Sequence, residues 1–234
     1  MKRVMWIITF MLLIGTAIAI QFFPDSVPMH MDMAGNIDRW GSKYEELIYP
    51  VIVVVISLFW TLLIKYYEKK ALKTENEKDL AGIKTNVKVI GIAAVAETVL
   101  FAAMQCFFLY TSYTAAIAKD SRISVDLMRV TSILCAALLI VLGNVMTKTR
   151  TNNVIGVRVV WSMYNDNTWK KTNLFGAIAF IITGIITIIM SAILPTGDLA
   201  LVVLLVLIII ATIATLVYSA KVYKEEIAAE KKES

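Results

Sequence analysis

The sequence predicts an all-α integral membrane protein with six transmembrane helices and both termini cytoplasmic. Three observations carry that prediction. Of the 234 residues 59% are hydrophobic and the mean hydropathy is +0.73, which is more apolar surface than one soluble core can hide. The apolar residues gather into six runs, approximately 4–22, 47–66, 88–110, 126–146, 173–194 and 199–220, each close to the ~20 residues a helix needs to cross a ~30 Å hydrocarbon core. With the N-terminus inside, 18 of the 23 lysines and arginines fall in cytoplasmic segments, as expected if basic flanks are retained on that side. The net charge of +5 is therefore a mark of topology, and no direct nucleic-acid binding is expected.

The first run follows Lys2 and Arg3 and ends at Gln21-Phe22-Phe23-Pro24 without a small-x-small cleavage site. It reads as a spanning helix rather than a cleaved signal. The polar stretch Phe23 to Lys43 comes next and holds the chain's one histidine. Pro24 and Pro28 stiffen its entry, and Gly35-Asn36 permits the positive φ of a tight turn, so an ordered extracellular loop is expected. His30, Asp32 and Asp38 are imidazole and carboxylate ligands of the kind that hold Zn²⁺ or another divalent metal. Equally, His30 can hydrogen-bond within the loop while the acids cap turns. Trp40 suits the headgroup level. Pro50 opens the second span, where its missing N–H does least harm.

Residues 65–88 mix seven lysines with four acids, a solvated cytoplasmic linker that is helical at its ends. The third span carries Glu97 and Gln105, and the fourth opens with Asp126 and Arg129. An ionisable group inside a membrane is costly, so Glu97 is either a transport or proton-relay residue or a neutral acid bonded to neighbouring helices. Glu97 lies roughly 13 Å in from the inner end, whereas Gln105 matches Arg129 in depth. Cys106 and Cys135 lie inside spans without metal-type spacing and read as packing residues.

The inner stretch Thr147 to Ala177 sets Arg158, Trp161, Trp169, Lys170 and Lys171 among asparagines. Aromatic rings beside cations predict a segment lying at the cytoplasmic interface. Thr168 or Asp166 is placed to cap the fifth helix. The fifth and sixth spans are aliphatic and charge-free, a hairpin turned at Pro195-Thr196-Gly197-Asp198. The chain has no nucleophile-base pair, Gly-rich phosphate loop or H-E-x-x-H pattern, which argues against an enzyme.

Both polar loops resemble one family. Pro24, Pro28, His30, Gly35, Asp38, Arg39, Trp40, Ser42 and Lys43 are similar to the signature of the domain of unknown function DUF1648, which begins many SdpI-type proteins. Asn153, Ile155, Gly156, Arg158, Trp161, Trp169, Lys171, Thr172 and Gly176 resemble the SdpI family's "N-x-x-G-I-R-x-x-W" and "W-x-x-T-x-x-x-G" signature, although Val159 and Val160 replace its usual Thr-Pro. The resemblance implies a DUF1648-like helical hairpin at 1–67 with extracellular loop 23–46, and a cytoplasmic linker at 68–87. It further implies an SdpI-like four-helix region at 88–220 with cytoplasmic loop 147–172, and a cytoplasmic tail at 221–234.

As function it implies a bacterial cell-membrane immunity protein that meets a secreted peptide toxin and signals by holding a helix-turn-helix repressor at the membrane. The expected toxin site is His30, Asp32, Asp38, Arg39, Trp40 and Lys43. The intramembrane polar set is Glu97, Gln105 and Arg129, and the cytoplasmic motif is Asn153, Gly156, Arg158, Trp161, Trp169 and Thr172. No cofactor is required beyond the metal option of His30, Asp32 and Asp38. The competing reading is a metal-binding or proton-coupled membrane enzyme or transporter that uses the His30 loop and Glu97.

Overall fold

A computed structural model describes residues 1–32, 35–119, 126–152 and 154–233. Among these residues six helices are long and apolar enough to cross a membrane: α1 (Lys2–Ala19), α2 (Ile48–Leu72), α3 (Glu77–Ala118), α4 (Leu127–Met146), α5 (Asp166–Ile193) and α6 (Gly197–Glu233). The chain is a multi-pass membrane protein. Both termini lie at one end of the bundle, where Lys2 Nζ meets Glu68 at 2.6 Å and the Tyr164 hydroxyl donates to Glu230 at 2.7 Å.

Helices α1, α2 and α3 pack on one another, α4, α5 and α6 form a second group, and the α3–α4 contact joins the two. Hydroxyls and close backbone approach hold these faces, because lipid tails leave little hydrophobic drive for helices to associate. Between α1 and α2 the Thr9 and Ser57 hydroxyls meet at 2.8 Å, and the Trp6 indole donates to Thr61 at 2.9 Å. Between α4 and α5 the packing is tighter. A β-carbon on Gly184 would come within 2.6 Å of the Ala136 carbonyl, and one on Gly143 within 2.7 Å of the Ala177 carbonyl.

At the other end the polar stretch folds into a two-stranded antiparallel hairpin, β1 (Ser26–Met31) and β2 (Ile37–Ser42). A small sheet thus tops an otherwise helical protein. The pairing runs from Ser26 opposite Ser42 to Met31 opposite Ile37, with irregularities on either side of His30. The turn is closed by Asp32, whose carboxylate accepts the Asn36 backbone and side-chain N–H, each at 2.8 Å, while Gly35 takes φ +82°. Val27 and Phe23 pack on Ala116 of α3, Phe23 lies 5.2 Å from the Tyr113 ring, and Ser112 donates to the Pro28 carbonyl at 3.3 Å. The hairpin is therefore fixed to the bundle.

The 65–88 stretch is helical almost throughout. α2 runs to Leu72, only Lys73 to Asn76 intervene, and Asn76 caps α3 by accepting the Lys78 and Asp79 amides. α5 is capped by Asn165 rather than by Thr168 or Asp166; Thr168 instead answers as the reciprocal donor-acceptor of the capping box.

Candidate functional site

The hairpin builds its first polar cluster from one carboxylate that sequence reasoning passed over. Glu45, in the 3-10 turn Lys43–Leu47, accepts the Ser42 amide and the Arg39 guanidinium, each at 3.0 Å. Gly41 makes room for it, since a β-carbon there would collide with the Glu45 carboxylate and lie 2.7 Å from Met29. Lys43 turns the opposite way. Its ammonium bonds the Phe23 carbonyl at 3.3 Å and Asp25 at 3.0 Å, and it is largely buried at the hairpin base. Lys43 is thus a clamp in the fold, while Arg39 and the exposed Trp40 stay at the surface.

His30 and Asp38 do meet, with Nδ1 2.5 Å from the carboxylate. Asp32 does not join them as a third ligand, because its oxygens are taken by Asn36. Among the described residues no group of three or more His, Cys, Asp or Glu side chains is arranged to hold a metal ion. In this arrangement His30 and Asp38 offer two of the about four ligands that a structural metal takes.

Beneath the hairpin lies a cleft of about 340 Å³ between β1, α2 and α3, bordered by Met29, Arg39, Glu46, Tyr49, Gln105 and Ser112. Glu46 is only 6% exposed and faces Ser112 and Gln105. Gln105 donates to the Glu46 carbonyl at 3.2 Å, so it belongs to this cleft. Its own Oε1 and the Tyr49 hydroxyl are buried with no hydrogen-bond partner among the described residues. Buried polar atoms nearly always find a partner, and these two are open to one supplied by a ligand.

Arg129 serves the α4–α5–α6 junction. It bonds Asp126 at 3.2 Å and donates to the Ser191, Leu194 and Pro195 carbonyls, the last two at 3.0 and 3.1 Å. That closes the open end of α5.

At the termini end the second motif forms a knot of backbone bonds. Asn152 accepts the Val154 and Ile155 amides at 2.8 and 2.9 Å and donates to the Arg150 and Ile155 carbonyls. Gly156 adopts φ +125°, where side chains are strained, and rests on Trp169 and Asn173. The two tryptophans part company. Trp169 is 2% exposed, its indole donating to the Thr149 carbonyl at 3.1 Å, so only Trp161, with Arg158 and Val160, lies at the surface. Thr172 is buried and bonds Ser219 of α6 at 3.4 Å. Asn153 lies outside the described residues.

Midway along the bundle Glu97 accepts the Trp60 indole N–H at 2.5 Å. It joins neither Gln105 nor Arg129, so the expected intramembrane polar set is three separate sites.

These two polar constructions coincide with two family matches. The model of the domain of unknown function DUF1648 matches residues 6–64, which span α1, the hairpin and most of α2. The model described as the SdpI/YfhL protein family matches residues 148–219, from the Asn152 knot to α6. The chain is 23% identical over 206 residues to the immunity protein SdpI of Bacillus subtilis (strain 168), covering 88% of this chain and 87% of that protein. No solved structure matches. Residues 6–64 are thus similar to DUF1648 and residues 148–219 to the SdpI/YfhL protein family, in one multi-pass membrane chain and in that order.

Proposed function

We propose that this protein gives the cell that makes it immunity to a secreted antimicrobial peptide, which it meets in the cleft under the β1–β2 hairpin. The observation that carries the reading is the pair of unpartnered buried atoms, Gln105 Oε1 and Tyr49 Oη, in a cleft rimmed by Arg39 and Glu45. A peptide backbone brings both donors and acceptors to such atoms, and apolar side chains suit the Met29 and Ile52 walls. The relative named as an immunity protein supports the same conclusion.

In this reading the hairpin end faces outward and both termini face the cytoplasm, in keeping with the excess of lysine and arginine at the termini end. The surface turn with Val160, Trp161, Met163 and Tyr164 is then a cytoplasmic platform for a helix-turn-helix repressor, held when the cleft is occupied. Such signalling requires that the peptide prefer one of two bundle states.

The test is survival of a sensitive host expressing the chain under challenge by a panel of secreted antimicrobial peptides. Wild type protects against at least one, and Arg39→Ala at equal abundance does not. Arg158→Ala should keep protection while losing any repressor recruitment. Protection by neither wild type nor variants across the panel overturns the reading.

A further inference from the structure

Trp60 is the central residue of α2 and Glu97 lies at the midpoint of α3. Their bond sits on the wall of a cavity of about 450 Å³ that no hairpin residue touches, within the range of small-molecule sites. Leu142 of α4, Phe180 of α5 and Thr212 and Thr215 of α6 form other walls, and residues 154–157 of the Asn152 knot close one end. Most of the lining is apolar.

The polar part of this cavity is one-sided. Among the described residues no lysine, arginine or histidine pairs with Glu97. Trp60 supplies one N–H, whereas a carboxylate has about four acceptor positions. The Thr212 and Thr215 hydroxyls donate to the Ile208 and Ala211 carbonyls at 2.8 and 2.7 Å, so toward the cavity they too are acceptors. Beyond the Trp60 indole the side chains named here offer acceptor oxygens, among them a carboxyl group with no cation beside it in the described residues. A group that complements them must donate several hydrogen bonds and carry a positive charge, which describes an ammonium with its three N–H. An ionised carboxylate without a counter-ion at this depth is costly, and an ammonium bonded to it offsets part of that cost against its own desolvation.

We propose that this cavity is a binding site for an amphiphile with a single primary ammonium head and an apolar body, the head at Glu97 and the body along α4 and α5. A carboxylate ligand would be repelled by Glu97, and an alcohol would bring one donor without charge. The site shares no residue with the hairpin cleft and stands whether or not the immunity reading does.

The experiment is equilibrium binding of tritiated dodecylamine to the full chain, immobilised in a non-ionic detergent, with unlabelled dodecylamine, dodecanol and dodecanoate as competitors. One saturable site per chain is expected, displaced by the amine and not by the alcohol or acid. Glu97→Gln keeps an acceptor for Trp60 and should fold, yet weaken binding about thirtyfold or more, the effect of removing one partner of a buried charge pair. Leu142→Trp fills the cavity with Glu97 intact and should also abolish binding, while Arg39→Ala should leave it unchanged. Competition by added phosphatidylethanolamine would assign the head to an aminolipid, and its failure to compete would assign it to a free amphiphile; either result supports the site. No saturable binding to wild type, equal displacement by dodecanol, or wild-type affinity in either Glu97→Gln or Leu142→Trp overturns the proposal.

Discussion

Asn173 Oδ1 accepts the Val157 amide at 2.8 Å, and this one bond seats the motif loop on the first turns of α5. The same side chain donates to the Trp169 carbonyl at 3.0 Å, so it is committed on both sides. The backbone of Gly156 passes over Asn173 and the Trp169 ring with no room for a side chain. The loop between α4 and α5 is thereby part of the packed bundle.

Gly156→Ala should therefore cost about 3 kcal/mol, combining a strained φ with a β-carbon pressed on Trp169. Equilibrium unfolding in mixed micelles measures it. A change below about 0.5 kcal/mol would mean that the loop moves freely off α5, contrary to this geometry.

Arg39 and Glu45 form a half-exposed ion pair, so each alanine variant should change stability little. In the survival assay, by contrast, Arg39→Ala and Glu45→Ala should each remove protection. The double variant should be no worse than either single one, since Arg39→Ala removes the guanidinium and Glu45→Ala frees it from its place at the cleft rim. Additive losses would separate the two residues.

Arg129 reaches three carbonyls through one planar fork, a geometry that lysine cannot reproduce. Arg129→Lys should recover less than half of the stability lost in Arg129→Ala, where about 2 kcal/mol is expected from the orphaned carbonyls. Full recovery with lysine would show that charge alone matters at this junction.

The Tyr164 phenol donates to Glu230, and that bond, followed by partial burial and the negative field of the carboxylate, holds its pKa above the usual value. A raised pKa here favours the neutral phenol. Its contribution is complete below the unfolded value of about 10 and is lost as pH rises through the higher folded value. Amide exchange of residues 222–233 should accelerate above that point in wild type. In Tyr164→Phe the exchange should be faster at neutral pH and show no such step.

The hairpin's turn was legible in the sequence because its chemistry is local. Asp32, Gly35 and Asn36 sit within five positions of one another, and their hydrogen bonds follow from neighbouring residues. Glu45 and Glu46 were not legible as site residues. They sit at the start of an apolar run, where a carboxylate reads as a solvated flank, and only the hairpin folding back over α3 buries Glu46 against Ser112 and Gln105. The two tryptophans of the motif loop pose the same problem. Trp161 and Trp169 have equal claims on an interface, and the choice depends on which face of α5 turns toward the Thr149 carbonyl.

By itself the sequence determined the number of spans, because the bilayer sets a length and an apolarity that each run must meet and the backbone must satisfy its own hydrogen bonds in lipid. It also determined where the chain turns, through proline, glycine and asparagine. The tertiary structure decided which polar groups meet. Lipid is as apolar as leucine, so no hydrophobic stripe dictates how each helix is rotated. The meeting of Trp60 with Glu97, of Gln105 with the Glu46 carbonyl and of Arg129 with the end of α5 depends on close packing and hydrogen bonds between distant segments.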